Sequence, residues 1–151
     1  MGTLAFKEWS SIVDVLGQGK QSIILRKGGI AEEEGDFTLK GKKFLLFPTL
    51  FHEEEKMLKL QWLPFMDGNR FYPNANTVKI KYYAEVADAI LIKEWDKVAA
   101  LNNWHAWKEE VIKERFERWD KNVNLLVLQV FELPNVQEIE ILLQKSPTFI
   151  Q

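Results

Sequence analysis

From Val78 to Val86 the chain alternates without a break: Val78, Ile80, Tyr82, Ala84 and Val86 are separated by Lys79, Lys81, Tyr83 and Glu85. Successive side chains of a strand point to opposite faces, so this period of two predicts a strand with one dry face and one wet face. Such a strand needs hydrogen-bonded neighbours and a layer over its dry side. Val123 to Phe131, apolar except at Asn124 and Gln129, predicts the complementary kind of strand, covered on both faces, with Pro134 ending it.

Shorter segments fill in the rest. Ser22 to Leu25 reads as a strand running into a turn at Gly28 and Gly29, and Lys43 to Phe47 as another, closed by Pro48. The stretch through Leu60 and Trp62 to Pro64 reads as a strand, and Met66 to Asn76 as a loop. Between Lys20 and Lys43 charge alternates in blocks (Lys20, Arg26 and Lys27; Glu32, Glu33, Glu34 and Asp36; Lys40, Lys42 and Lys43), the pattern of a solvated hairpin or loop. Leu4, Phe6, Trp9, Ile12, Val13 and Leu16 recur mostly every three or four residues. This predicts an amphipathic helix capped at Thr3 and stopped at Gly17 and Gly19. A second helix is predicted over Asn103 to Trp119, with Trp104, Trp107 and Trp119 on one side, and tryptophans at that spacing are expected to pack into a core.

No repeat, low-complexity tract or long linker divides the 151 residues. The expectation is one α+β domain over residues 1–151, with a mixed or mainly antiparallel sheet and at least two packed amphipathic helices. With 46% hydrophobic residues, a chain of this length can build its core without disulfides or metals.

Composition also removes function classes. Lys plus Arg number 20 against 22 Asp plus Glu, a net charge of −2, far from the balance of a dedicated duplex-DNA binder, so any nucleic-acid contact must come from a local patch. The absence of cysteine excludes disulfides, thiolate metal sites and thiol nucleophiles. The two histidines lack a chelating spacing, and neither a metal nor a cofactor is expected. No apolar run reaches the ~18 residues of a membrane span, and no signal-peptide core follows the N-terminus, so no membrane partner and a cytoplasmic location are expected.

Gly17-Gln18-Gly19-Lys20 imitates a phosphate loop, but it follows a helix, where the backbone carries the wrong partial charge for an anion. Arg26-Lys27-Gly28-Gly29 is the better candidate: two cations beside two glycines can aim side chains and bare amides at one phosphate, although an exposed hairpin would contain the same residues. Thr49 and His52, before Glu53 to Glu55, place an imidazole beside carboxylates, and His105 lies in Trp104-His105-Ala106-Trp107. Arg115 on the second helix could add a cation, and aromatics mixed with cations can stack on bases and bind their phosphates. The catalytic elbows, zinc signatures and nucleotide loops with known spacing are missing, so no catalytic residue is assigned.

Lys7-Glu8-Trp9, Arg26-Lys27-Gly28-Gly29-Ile30 and Leu46-Phe47-Pro48-Thr49 through His52 resemble the bacterial family catalogued as domain of unknown function 1802. The resemblance continues through His105, Trp107, Arg115, Phe116 and Trp119 into Leu126 to Val130, although Gln129 stands where many members carry an arginine. Some members are organised like modules joined to Mrr-type nuclease domains, which implies an accessory part in restriction and modification. The residues themselves support a non-catalytic module binding a phosphate-bearing ligand, nucleic acid or nucleotide. The ligand residues expected are Arg26, Lys27, Gly28, Gly29, Thr49, His52, His105, Trp107 and Arg115, with Arg26, Lys27, His52 and His105 in one pocket. Two other readings stay open: a small hydrolase or transferase with a histidine base, and an interaction domain for a protein partner or a second copy.

Overall fold

The computed structural model describes residues 4–27, 39–51, 54–141 and 148–150, the last three by backbone alone. The charged hairpin predicted after Lys27 falls largely on residues 28–38, outside this set, as do Thr3 and His52.

Strands β1 (Leu4–Trp9), β2 (Ile23–Arg26), β3 (Lys43–Thr49), β4 (Thr77–Ile92), β5 (Val123–Glu140) and β6 (Thr148–Ile150) form one mixed sheet. Their order is β2-β5-β4-β3-β1-β6, antiparallel from β2 to β3 and parallel at β3-β1 and β1-β6. Helix α1 (Ser10–Gly17) follows β1 directly, short α2 (Glu54–Met57) and α3 (Trp95–Ala99) flank β4, and α4 (Glu109–Glu117) precedes β5. The α+β class with a mixed sheet and packed helices is therefore observed.

The alternating segment is β4, buried at every second residue from Val78 to Val86. Beyond Val86 the register against β5 shifts between Val86 and Asp88. That bulge reverses which residues face inward, so the alternation ends although the strand runs on to Ile92. β5 likewise passes Pro134, because the register shifts between the Tyr82–Glu132 and Ile80–Gln137 pairs and the proline sits inside that irregularity. Pro48 also lies within its strand. β3 pairs with β4 only as far as Leu45 and then with β1 alone, so an absent N–H can face the unpaired side.

Further expectations are corrected. Residues 4–9 are strand, not helix: Leu4 and Phe6 also fit a period of two, and β3 and β6 supply the backbone partners. Leu60–Phe65 is a 3-10 helix instead of a strand. The second helix begins only at Glu109, because residues 105–108 form an extended strap. There the Lys59 amide donates to the Ala106 carbonyl, the Lys108 amide to Met57, and the Ala106 amide to buried Gln21. Only Trp107 of the three tryptophans enters the core, whereas Trp104 and Trp119 are about two thirds exposed.

Gly17 ends α1 with no room for a side chain, since a Cβ there would stand 2.3 Å from the Tyr82 ring. Gly19 adopts φ +76°, the left-handed conformation that suits a helix stop. The sheet curls strongly. β1 and β2 are separated by three strands in hydrogen-bonding order, yet the Arg26 guanidinium lies 5.2 Å over the Phe6 ring. The site depends on that closure.

Candidate functional site

Where β1 meets β2, with Thr49 at the end of β3 and α4 close by, a cleft of about 340 Å³ opens. Its walls hold Lys7, Arg26, Lys27, Arg115 and Arg118, and Glu8 is the one acidic residue among the described residues that line it. Five cations in one concavity of a chain with net charge −2 is a local field of the kind that composition hides.

Each cation is held differently. Arg26 is buried over Phe6. Arg115 projects from α4 against the faces of Trp107 (4.8 Å) and Trp9 (5.4 Å), and its Nη1 donates to the Leu25 carbonyl at 2.8 Å. Burial pushes its guanidinium below the ordinary value, but an arginine stays charged. The Lys27 ammonium donates to the carbonyls of Phe116, Asp120 and Asn122, clamping the end of α4 and the loop after it. It therefore acts mainly as a structural cation. Lys7 and Arg118 are exposed at the rim, and Arg118 makes a paired contact with Glu114 (2.6 and 3.0 Å).

Glu8 was not anticipated as a site residue. A period of two puts it on the face of buried Phe6, and Glu8 is itself 7% exposed. Its carboxylate accepts from the Trp9 amide at 2.8 Å, and the Thr49 hydroxyl donates to its main-chain carbonyl at 3.2 Å. Burial raises its pKa from 4.5 to about 7, against the opposing pull of Arg115. The sequence signal is the carboxylate in Phe6-Lys7-Glu8-Trp9, which a helical reading of the segment hides.

Arg26, Lys27, Thr49 and Arg115 thus meet at one cleft. Gly28, Gly29 and His52 lie outside the described residues. His105 and Trp107 do not reach the cleft wall: both are almost fully buried beneath Arg115. Burial, Lys59 and Arg115 push the His105 pKa down to about 3, so its imidazole stays neutral and is a poor general base. Trp107 forms the platform for Arg115. Among the described residues no cluster of three His, Asp or Glu side chains could hold a metal, and no helix is long and apolar enough to cross a membrane.

A second concavity, about 610 Å³, adjoins the first and shares Trp9, Arg115 and Arg118 with it. Trp9 stacks on Phe51 there, with ring centres 5.1 Å apart and planes at 21°.

This fold, a mixed sheet with flanking helices, is similar to that of ASCH from Zymomonas mobilis. The crystal structure of that protein matches with a TM-score of 0.52 and 9% identity, covering 84% of this chain and 67% of the other. Crystal structures of two mutant forms match with TM-scores of 0.52 and 0.51, at 9% and 10% identity, covering 84% of this chain and 68% and 69% of theirs. At such identity the likeness is one of fold. The family is defined by sequence: the pattern of the domain of unknown function DUF1802 matches residues 5–146, and the chain belongs to that family. No curated protein matches it.

Proposed function

We propose that the cleft is a binding site for a phosphate-bearing ligand, a nucleotide or single-stranded nucleic acid, in a module without catalytic machinery of its own. The observation that carries this reading is the convergence of Arg26 and Arg115 with the rim cations Lys7 and Arg118 in one concavity beside an aromatic stack. A guanidinium held against indole rings is pre-oriented, so less side-chain entropy is lost when it engages an anion. Membership of a nucleic-acid-handling class is supported by the aromatic neighbour, because stacking and phosphate contacts together suit unpaired nucleotides. The alternative of a histidine base loses His105 through its burial. No feature of the cleft bears on the restriction and modification setting that the family resemblance implies.

The test is titration of a labelled single-stranded oligonucleotide at several salt concentrations. With two or three phosphates engaged, the logarithmic salt slope is expected at about −1.5 to −2, from ~0.7 per contact on a single strand. Replacing the exposed pair, Lys7→Gln with Arg118→Gln, should weaken binding and flatten the slope by about 1 or more without unfolding the protein. Equal binding by the double variant would refute the site.

A further inference from the structure

The two concavities form one groove, because Trp9, Arg115 and Arg118 belong to both walls. Its halves differ in chemistry. The half toward β2 is cationic, whereas the half toward α2 is lined by Phe51, Met57, Val111 and the carboxylates Glu110 and Glu114. Phe51 is 42% exposed although its ring stacks on Trp9, so aromatic surface remains open to the groove. Glu114 is occupied by Arg118, but the Glu110 carboxylate makes no ion pair or hydrogen bond among the described residues. An ionised carboxylate only accepts hydrogen bonds, so a ligand edge meeting Glu110 has to donate.

We propose that the groove takes a nucleotide lengthwise, its phosphate among Arg26, Arg115 and Lys7 and its base on Phe51, and that Glu110 selects bases bearing an exocyclic amino group. This rests on the phosphate-site reading above. A base supplies what each surface lacks: a flat π-face for Phe51 and N–H donors for the carboxylate. A purine ring without an amino group presents Glu110 only with ring nitrogens that accept, so it leaves the carboxylate unpaired and is disfavoured. The combined volume of the halves suits a ligand of nucleotide size. Without the aromatic and acidic half, the cationic half would bind phosphate with no preference among bases.

The experiment compares adenosine monophosphate, purine riboside monophosphate and ribose phosphate by calorimetry. The adenine nucleotide should bind at least about fivefold more tightly than ribose phosphate, the low end of one stacked base. Purine riboside monophosphate, which lacks the amino group, should bind about tenfold more weakly than adenosine monophosphate. Phe51→Ala should bring adenosine monophosphate down to the ribose phosphate affinity while leaving ribose phosphate unchanged, which also shows that the variant is folded. Glu110→Gln, with an amide that both donates and accepts, should erase most of the preference for adenine over unsubstituted purine. If ribose phosphate binds as tightly as adenosine monophosphate, or Phe51→Ala changes nothing, the base subsite is refuted and the phosphate site stands. If Glu110→Gln leaves the preference intact, the amino-group selection is refuted. Failure of all three ligands to bind would overturn the phosphate site and this inference together.

Discussion

Replacing Glu8 by glutamine should make the protein more stable at pH 8 and hardly change it at pH 4.5. The buried carboxyl titrates at about 7 in the folded chain against an ordinary 4.5. Below the lower value it is protonated in both states and contributes nothing that varies with pH. Between the two values the folded chain keeps a proton that the unfolded chain has lost, so stability falls as pH rises, and the loss is complete once pH passes the folded value. At ~1.4 kcal/mol per pH unit, that gap of roughly 2.5 units corresponds to ~3 kcal/mol by pH 8. Glutamine resembles the protonated form and can keep the hydrogen bond from the Trp9 amide, so the variant escapes the loss. His105 acts in the opposite direction: its folded value of about 3 against 6.5 makes stability fall as pH drops below 6.5. That contribution is common to both proteins and cancels in their difference. Urea unfolding followed by circular dichroism at intervals from pH 4.5 to 8 gives the stability difference directly. Two curves running parallel across this range would refute the assignment of a proton to buried Glu8.

The same carboxyl predicts that binding of a phosphate-bearing probe strengthens as pH falls from 8 to 6, since an ionised Glu8 repels an anion in the cleft, and that Glu8→Gln removes the trend. Calorimetry with inorganic pyrophosphate at the two pH values measures it. Gly17→Ala should cost ~1–3 kcal/mol in urea unfolding, because the new methyl group would be driven into the Tyr82 ring. Lys27→Met should also cost ~1–3 kcal/mol, as carbonyls of Phe116, Asp120 and Asn122 lose their shared donor. Hydrogen exchange should show faster opening over residues 116–122 in that variant, and unchanged protection there would refute the clamp.

Local patterns were legible wherever one interaction dominated. The alternation at β4 announced a strand, the apolar run at β5 announced its buried neighbour, and Gly17 and Gly19 marked the end of a helix. Arg26, Thr49 and Arg115 were identifiable as candidates because cations and hydroxyls near glycines and aromatics are chemically suggestive even without coordinates. Other features depended on distant partners. Leu4 to Trp9 has spacing that fits either period, and β3 and β6 decide for the strand by taking its backbone groups. Residues 105–108 carry a helical pattern, but Met57, Lys59 and Gln21 hold their backbone in a strap, which buries His105 and Trp107 beneath Arg115. Lys27 reads as a ligand cation until the loop after α4 claims its ammonium. Glu8 becomes a site residue only when the sheet curls and brings Arg26 over Phe6. Charge, periodicity and turn chemistry are properties of neighbours along the chain, whereas burial and proton affinity depend on what the folded chain places beside each group.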